Sequence, residues 1–220
     1  MKQATGRTDD PAATKRVSIQ QSLDGRSFSV TGPEQEGLAG EAKEARTGAT
    51  AAAVEAEVLT WQTLLVPVEA FDPAQAAKLL AAAGMPCTEA QDAVWTQPQE
   101  EEEALAVIAL NRECRQALEE RFGLQGGIVY TTPLLHIPQD ADRCVWLHQE
   151  EDVLYIKVYD PTLRLAEAIP VKTEADPIYL IGRVGRMFPL REFELRIAGR
   201  CARTLRKALS GYFRSTICES

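Results

Sequence analysis

The chain has 220 residues, 45% of them hydrophobic and 25% charged, which is enough apolar material for one large domain or two small ones and excludes fibrous and membrane-embedded classes. No apolar run approaches the roughly 20 residues that cross a bilayer. The tail 1–15, polar and carrying Asp9, Asp10 and Pro11, lacks the apolar core of a secretion signal, so a cytoplasmic location is expected. The net charge of −8 is unevenly held: residues 183–214 contain nine of the 24 basic residues and two acids, +7 against −15 for the remainder. An acidic body with a basic end invites a polyanion or an acidic partner surface, although neutralisation within the molecule explains it as simply.

Residues 16–22 alternate Val17, Ile19 and Gln21 with Ser18 and Gln20, and Leu23-Asp24-Gly25-Arg26 turns them back into a second strand, 27–31. The stretch 32–57 is rich in Gly, Ala and Glu, with Leu38 and Val54 its larger apolar residues, and reads as a mobile insert. A strand over 58–66 ends at Pro67. Asp72 caps a helix with Pro73 at its first position, Ala76, Leu79, Leu80 and Ala83 on one face and Gly84 at its end. Strands 91–96 and 104–110 flank an acidic turn, Glu100 to Glu103, and Asn111 caps a helix that buries Cys114, Ala117, Leu118 and Phe122, with Gly123 beyond.

Residues 127–137 are extended. Strands 143–148 and 153–159 follow, joined across Gln149-Glu150-Glu151-Asp152, and then a strand over 163–171. Asp176-Pro177 opens a helix with Ile178, Ile181, Val184 and Phe188 inward. A strand at 192–198 leads to a last helix, 199–213, burying Cys201, Leu205, Ala208, Leu209 and Tyr212.

The second half thus reads β-β-β-α-β-α and the first β-β-β-α-(β)-β-α. Repetition of this order predicts an α/β protein of two ribonuclease-H-like lobes, 16–125 and 126–220, facing a cleft in the manner of actin-like ATPases. Four segments carry a resemblance: Val17-Ser-Ile-Gln-Gln-Ser-Leu-Asp-Gly-Arg-Ser-Phe-Ser-Val30, Leu64-Leu-Val-Pro-Val-Glu-Ala-Phe71, Asp176-Pro-Ile-Tyr-Leu180 and Glu194-Leu-Arg-Ile-Ala-Gly199. Through them the chain resembles a family of uncharacterised Bacteroidetes proteins, a domain of unknown function with an actin-like ATPase fold. The resemblance runs from Arg16 to the carboxyl end; it implies that fold and no assigned activity.

Such a fold holds ATP between two hairpin loops whose glycine amides meet the phosphates, with a carboxylate for the metal. The first loop, 22–27, keeps Asp24 and Gly25, with Arg26 beside them, but Asp-Gly is also the commonest short-hairpin sequence. The second, 148–152, has no glycine and three carboxylates, which repel phosphate. The adenosine turn, Ile197-Ala198-Gly199-Arg200, holds one glycine, which tight packing also asks for. Asp24, Gly25 and Gly199 are therefore the nucleotide-binding candidates, hydrolysis is not expected, and no catalytic residue is assigned. No Gly-x-Ser-x-Gly, phosphate-binding loop, His-Glu-x-x-His or dinucleotide motif occurs.

The five cysteines, Cys87, Cys114, Cys144, Cys201 and Cys218, have no Cys-x-x-Cys spacing and read as reduced, small hydrophobes. His136, in apolar company, reads as a hydrogen-bonded core residue, His148 borders an acidic turn, and no metal or cofactor is expected. The acids of both turns read as solvated. Arg200, Arg203, Arg206 and Lys207 fall on the outer side of the last helix, with Arg183 and Arg186 on the one before, a candidate partner-binding face. The acidic total and the lack of interleaved exposed aromatics weigh against nucleic acid. The expected function is a non-catalytic binding or scaffolding module for another protein. The alternatives are an ATP-binding protein or ATPase using Asp24, Gly25 and Gly199, and a nucleic-acid-associated factor using the basic face.

Overall fold

The computed structural model describes residues 15–31, 54–122, 127–139 and 142–219, arranged over three sheets. β1 (Lys15–Gln21) turns back into β2 (Phe28–Thr31) as an antiparallel hairpin. β3 (Val54–Leu59) lies parallel to β1. The chain then leaves this sheet and forms β4 (Thr63–Pro67), α1 (Ala76–Ala82), β5 (Gln91–Trp95), β6 (Ala104–Asn111) and α2 (Arg112–Phe122), with the antiparallel order β4-β6-β5. It returns as β7 (Ile128–Thr131), parallel to β3, completing the order β2-β1-β3-β7.

β6 is buried along its whole length because both its faces are covered. Leu105, Val107 and Ala109 meet Ala76 and Leu80 of α1. Ala106, Ile108 and Leu110 meet Cys114, Leu118 and Phe122 of α2 together with Ile19, Val54, Ala56 and Val58 of the first sheet.

The second half is one sheet with the order β10-β9-β8-β11-β12. β8 (Cys144–Glu150), β9 (Val153–Asp160) and β10 (Thr162–Pro170) form an antiparallel meander. α3 (Asp176–Val184) leads to β11 (Glu194–Ala198), parallel to β8, and α4 (Ala202–Leu209) to β12 (Ser215–Cys218), parallel to β11. Alternation sorts the side chains of β9. Leu154, Ile156 and Val158 point to the outer face, where Ile181, Val184, Leu205 and Leu209 of the two helices cover them. Val153 and Tyr155 point inward with Trp146, onto Leu59, Trp61, Leu65 and Leu134 of the first half and its return segment.

Several expectations need correction. Val54 to Glu57, placed in the insert 32–57, begin β3; Glu55 and Glu57 give it a polar look because they sit on the face opposite the buried Val54 and Ala56. The rest of that insert, with the tail 1–14 and Gly123, lies outside the described residues. The strand expected over 58–66 is parts of two, β3 and β4, in different sheets. The strands of the first half therefore do not repeat the single-sheet order of the second. β7 pairs with β3, so a boundary at 125/126 separates it from the sheet to which it belongs.

At the carboxyl end, α4 stops at Leu209, a 3-10 turn covers Ser210–Tyr212, and Ala208 and Tyr212 are exposed where burial was expected. β12 was not foreseen. On α3, Pro177 takes the inward position and Ile178 is exposed. Asp72 accepts from Ala74 N at 2.9 Å, but it caps a 3-10 turn, Pro73–Gln75, that leads into α1, and Ala83 is exposed. Asn111 caps α2 as expected, with Cys114 N donating to its Oδ1 at 3.1 Å. All five cysteines are free; burial pushes the thiols of Cys114 and Cys144 up to about 12, while Cys218 is exposed.

Candidate functional site: the junction of the two halves

The first hairpin loop closes on itself. Asp24 Oδ1 accepts from Ser22 Oγ at 2.7 Å and from Arg26 N at 3.1 Å. Ser27 N donates to Ser22 Oγ at 3.1 Å, Gly25 N to Ser22 O at 2.9 Å, and Ser22 N to Ser27 O at 3.0 Å. Its carbonyls are engaged as well: Asn111 Nδ2 donates to Gly25 O at 3.0 Å, and Trp61 Nε1 to Leu23 O at 2.9 Å. The Ser22 hydroxyl, then the Arg26 amide, holds the Asp24 carboxyl below its usual range. Gly25 has φ +69°, and a Cβ there would lie 2.2 Å from Gln91 Nε2.

The second loop packs on the turn 197–200. Gly199 has φ +83°, and its Cβ would stand 2.5 Å from the carbonyl oxygen of Gln149. Arg200 reaches back over the same loop: its backbone N–H donates to Glu150 Oε1 at 3.2 Å, and its guanidinium pairs with Glu150 at 3.2 Å and Glu151 at 3.1 Å. His148 Nε2 lies 3.3 Å from Glu150 Oε1. Burial works to raise the Glu150 carboxyl, but His148 and Arg200 outweigh it and hold the group below its usual range. Arg200 thus leaves the outer basic face on which it was expected and pairs with two of the three carboxylates of the acidic run. Across the junction, Gln20 Nε2 donates to Asp152 Oδ1 at 3.0 Å.

Register places Ser18, Glu57 and Thr131 side by side on β1, β3 and β7, and Arg16, Glu55 and Val129 likewise. A cavity of about 450 Å³ opens beside Glu55, Glu57, Thr131 and His136, and a smaller one of about 320 Å³ beside Arg16, Ser18 and Glu57. Arg16 pairs with Glu55 at 3.2 Å. Burial raises the Glu57 carboxyl, an effect His148 only partly offsets. Its folded pKa therefore lies above its unfolded one, so ionisation destabilises the fold, and stability is regained as pH falls through the folded value. Glu57→Gln should raise the unfolding midpoint at neutral pH, and the gain over wild type should vanish below about pH 4.5, where Glu57 is protonated in both states. A gain that persists unchanged in acid would mean that burial of the charge is not its cause.

The halves are fastened by buried polar groups. Lys157, fully buried in β9, donates to Glu102 at 2.7 and 2.9 Å and to the carbonyl of His136 at 3.0 Å, which satisfies all three of its protons. Glu102, whose side chain is 8% exposed, also accepts from the Tyr159 hydroxyl. Burial holds the Lys157 ammonium below its usual range, opposed by Glu102. The acidic turn expected to be solvated therefore sends one carboxylate into the junction. Nearby, Thr60 N donates to the buried Tyr155 hydroxyl at 2.8 Å. His136 is half-exposed rather than a core residue: it stacks on Trp146 at 4.9 Å, and its Nε2 lies 3.2 Å from Glu219, which also accepts from Trp146 Nε1 at 2.9 Å. A signal for Lys157 was present in Val153-Leu-Tyr-Ile-Lys-Val-Tyr159, where a single cation interrupts an apolar strand.

Asp24 and Gly25 thus bond within their hairpin and to the β4-β6-β5 unit, while Gly199 abuts Gln149. Among the described residues no group of three His, Cys, Asp or Glu side chains could hold a metal ion, and no helix is long and apolar enough to cross a membrane.

The sheets and helices define an α/β protein with an actin-like ATPase fold. The solved structure that shows this is a Bacteroides thetaiotaomicron protein described as having an actin-like ATPase fold and unknown function; it shares 16% identity over 94% of this chain and 91% of its own, with a TM-score of 0.66. The resemblance seen in the sequence therefore holds at the level of fold. The cytoplasmic domain of EpsL, an inner-membrane component of the type II secretion system of Vibrio cholerae, aligns over 85% of this chain and 83% of its own at 14% identity, with a TM-score of only 0.37. No protein-family model matches the chain, and no curated protein does.

Proposed function

We propose that this chain is a non-catalytic binding or scaffolding module for another protein, a two-lobed relative of actin-like ATPases. The observation that carries this is the commitment of the would-be nucleotide loops to internal bonds. The amides of the first loop close its own turn, and the second loop is pressed on Gly199 and tied to Arg200. A phosphate arriving there would find few free donors and the carboxylates of Glu150, Glu151 and Asp152. The order β10-β9-β8-β11-β12, with β9 running against the other four strands, supports a ribonuclease-H-like second lobe. In this reading the first lobe is a shorter version, β2-β1-β3-β7, interrupted by the β4-β6-β5 unit. Five free thiols fit a reducing cytoplasm. A fold that has lost its chemistry keeps its surfaces.

Thermal unfolding with and without Mg-ATP, Mg-ADP and Mg-GTP tests the reading, since a ligand at about 100 times its dissociation constant adds roughly 2.7 kcal/mol. No shift is expected with any of the three. A rise of several degrees that disappears in Asp24→Ala would overturn the proposal in favour of a nucleotide-binding protein.

A further inference from the structure

α3 and α4 pack side by side on the outer face of the third sheet, burying Ile181, Val184, Leu205 and Leu209 beneath them. Arg183 of α3, Arg186 in the turn that follows it, and Arg203, Arg206 and Lys207 of α4 are all exposed, and none is in an ion pair among the described residues. Elsewhere Arg112, Arg115, Arg143 and Arg200 are all paired. Among these cations, Tyr179 and Met187 are 66% and 62% exposed, and Ile178 is 39% exposed. The expected absence of exposed aromatics is thus corrected at Tyr179.

Gly182 supplies an independent observation. It lies within α3, one turn after Tyr179, is exposed, and has open space where a Cβ would stand. Neither a positive φ nor a crowded neighbour requires glycine, which in a helix interior costs roughly 0.5–1 kcal/mol relative to alanine. Close approach of another backbone is a role that uses its missing side chain.

We infer that this face docks an acidic amphipathic helix of a partner protein. Its carboxylates meet the five cations, and its apolar stripe lies on Tyr179 and Met187 across Gly182. The inference rests on the binding-module reading and names the chemistry of the partner. Charge complementarity selects an acidic occupant, and size selects a short one. α3 has nine residues, a length of roughly 14 Å, so a longer polyanion would run on into a body that carries −15 outside residues 183–214. Ile178 and Met187 give an apolar stripe something to cover, whereas phosphates gain nothing from them.

Fluorescence anisotropy provides the test, with a labelled helical peptide bearing Glu on one face and Leu on the other, a scrambled peptide of the same composition, phosphatidylserine vesicles and duplex DNA. The amphipathic peptide should bind, and at least about tenfold more tightly than its scrambled form. Arg203→Glu with Arg206→Glu should weaken it by about tenfold or more. Gly182→Leu should weaken it similarly while leaving the unfolding midpoint no lower, and Gly182→Ala should raise the midpoint. Equal binding of scrambled peptide, or by the charge-reversed protein, would overturn the inference, as would binding of vesicles or DNA without the peptide. A nucleotide-induced thermal shift would sink the non-catalytic reading while leaving peptide binding to be measured on its own; failure of the peptide with no nucleotide response would sink this inference alone.

Discussion

Lys157→Met should lower the stability of the protein by about 3–5 kcal/mol, which for a chain of this size is a fall in unfolding midpoint on the order of 10 °C. Lys157 is fully buried, and the carboxylate of Glu102, 8% exposed, has it as an ion-pair partner. Removing the ammonium leaves a desolvated negative charge beside the Tyr159 hydroxyl, and that orphaned charge causes the loss. The second variant needed is Lys157→Met with Glu102→Gln, which keeps an acceptor for Tyr159 without the charge. It should recover most of the loss, because a buried pair replaced as a whole is close to neutral. If the single variant loses less than about 1 kcal/mol, the pair behaves like an exposed one and does not fasten the halves.

Gly199→Ala should cost about 2–4 kcal/mol, measured by chemical denaturation. Two effects combine: φ of +83° strains any residue with a Cβ, and that Cβ would stand 2.5 Å from a backbone oxygen of Gln149, which cannot rotate away. Gly25→Ala meets the movable side chain of Gln91 and should cost less, although Gln91 is held by a 2.7 Å bond to Gln62 and by Thr88. The contrast separates a packing role from a ligand role. A cost for Gly199→Ala no larger than that for Gly25→Ala would mean that the close approach to Gln149 is not what requires the glycine.

The sequence was most readable where periodicity and local chemistry agree. β1 and β2 with their Asp-Gly turn, the Asn111 cap and the meander β8-β9-β10 all come from patterns a few residues long. The assignment of strands to sheets did not, because it depends on partners far apart in the chain. β3 and β4 look like one strand until their partners, β1 and β6, are known. In the candidate site, Asp24, Gly25 and Gly199 were visible as residues, but not whether their amides and neighbours were free. Glu102 was hidden within four successive glutamates, since which carboxylate is buried is decided by Lys157, 55 positions away. Arg200 was placed by helical spacing on an outer face, whereas it precedes α4 and follows the backbone of the turn to Glu150.

Internal satisfaction of the first hairpin loop and of the turn at Gly199 is tested most directly by amide hydrogen exchange at Gly25, Arg26, Ser27 and Arg200, with and without saturating Mg-ATP. These amides donate to Ser22, Asp24 and Glu150 within the protein, so their exchange should be the same in both samples. Slowed exchange at these four amides on adding the nucleotide would show that they turn to phosphate, and would contradict the reading of a module without a nucleotide site.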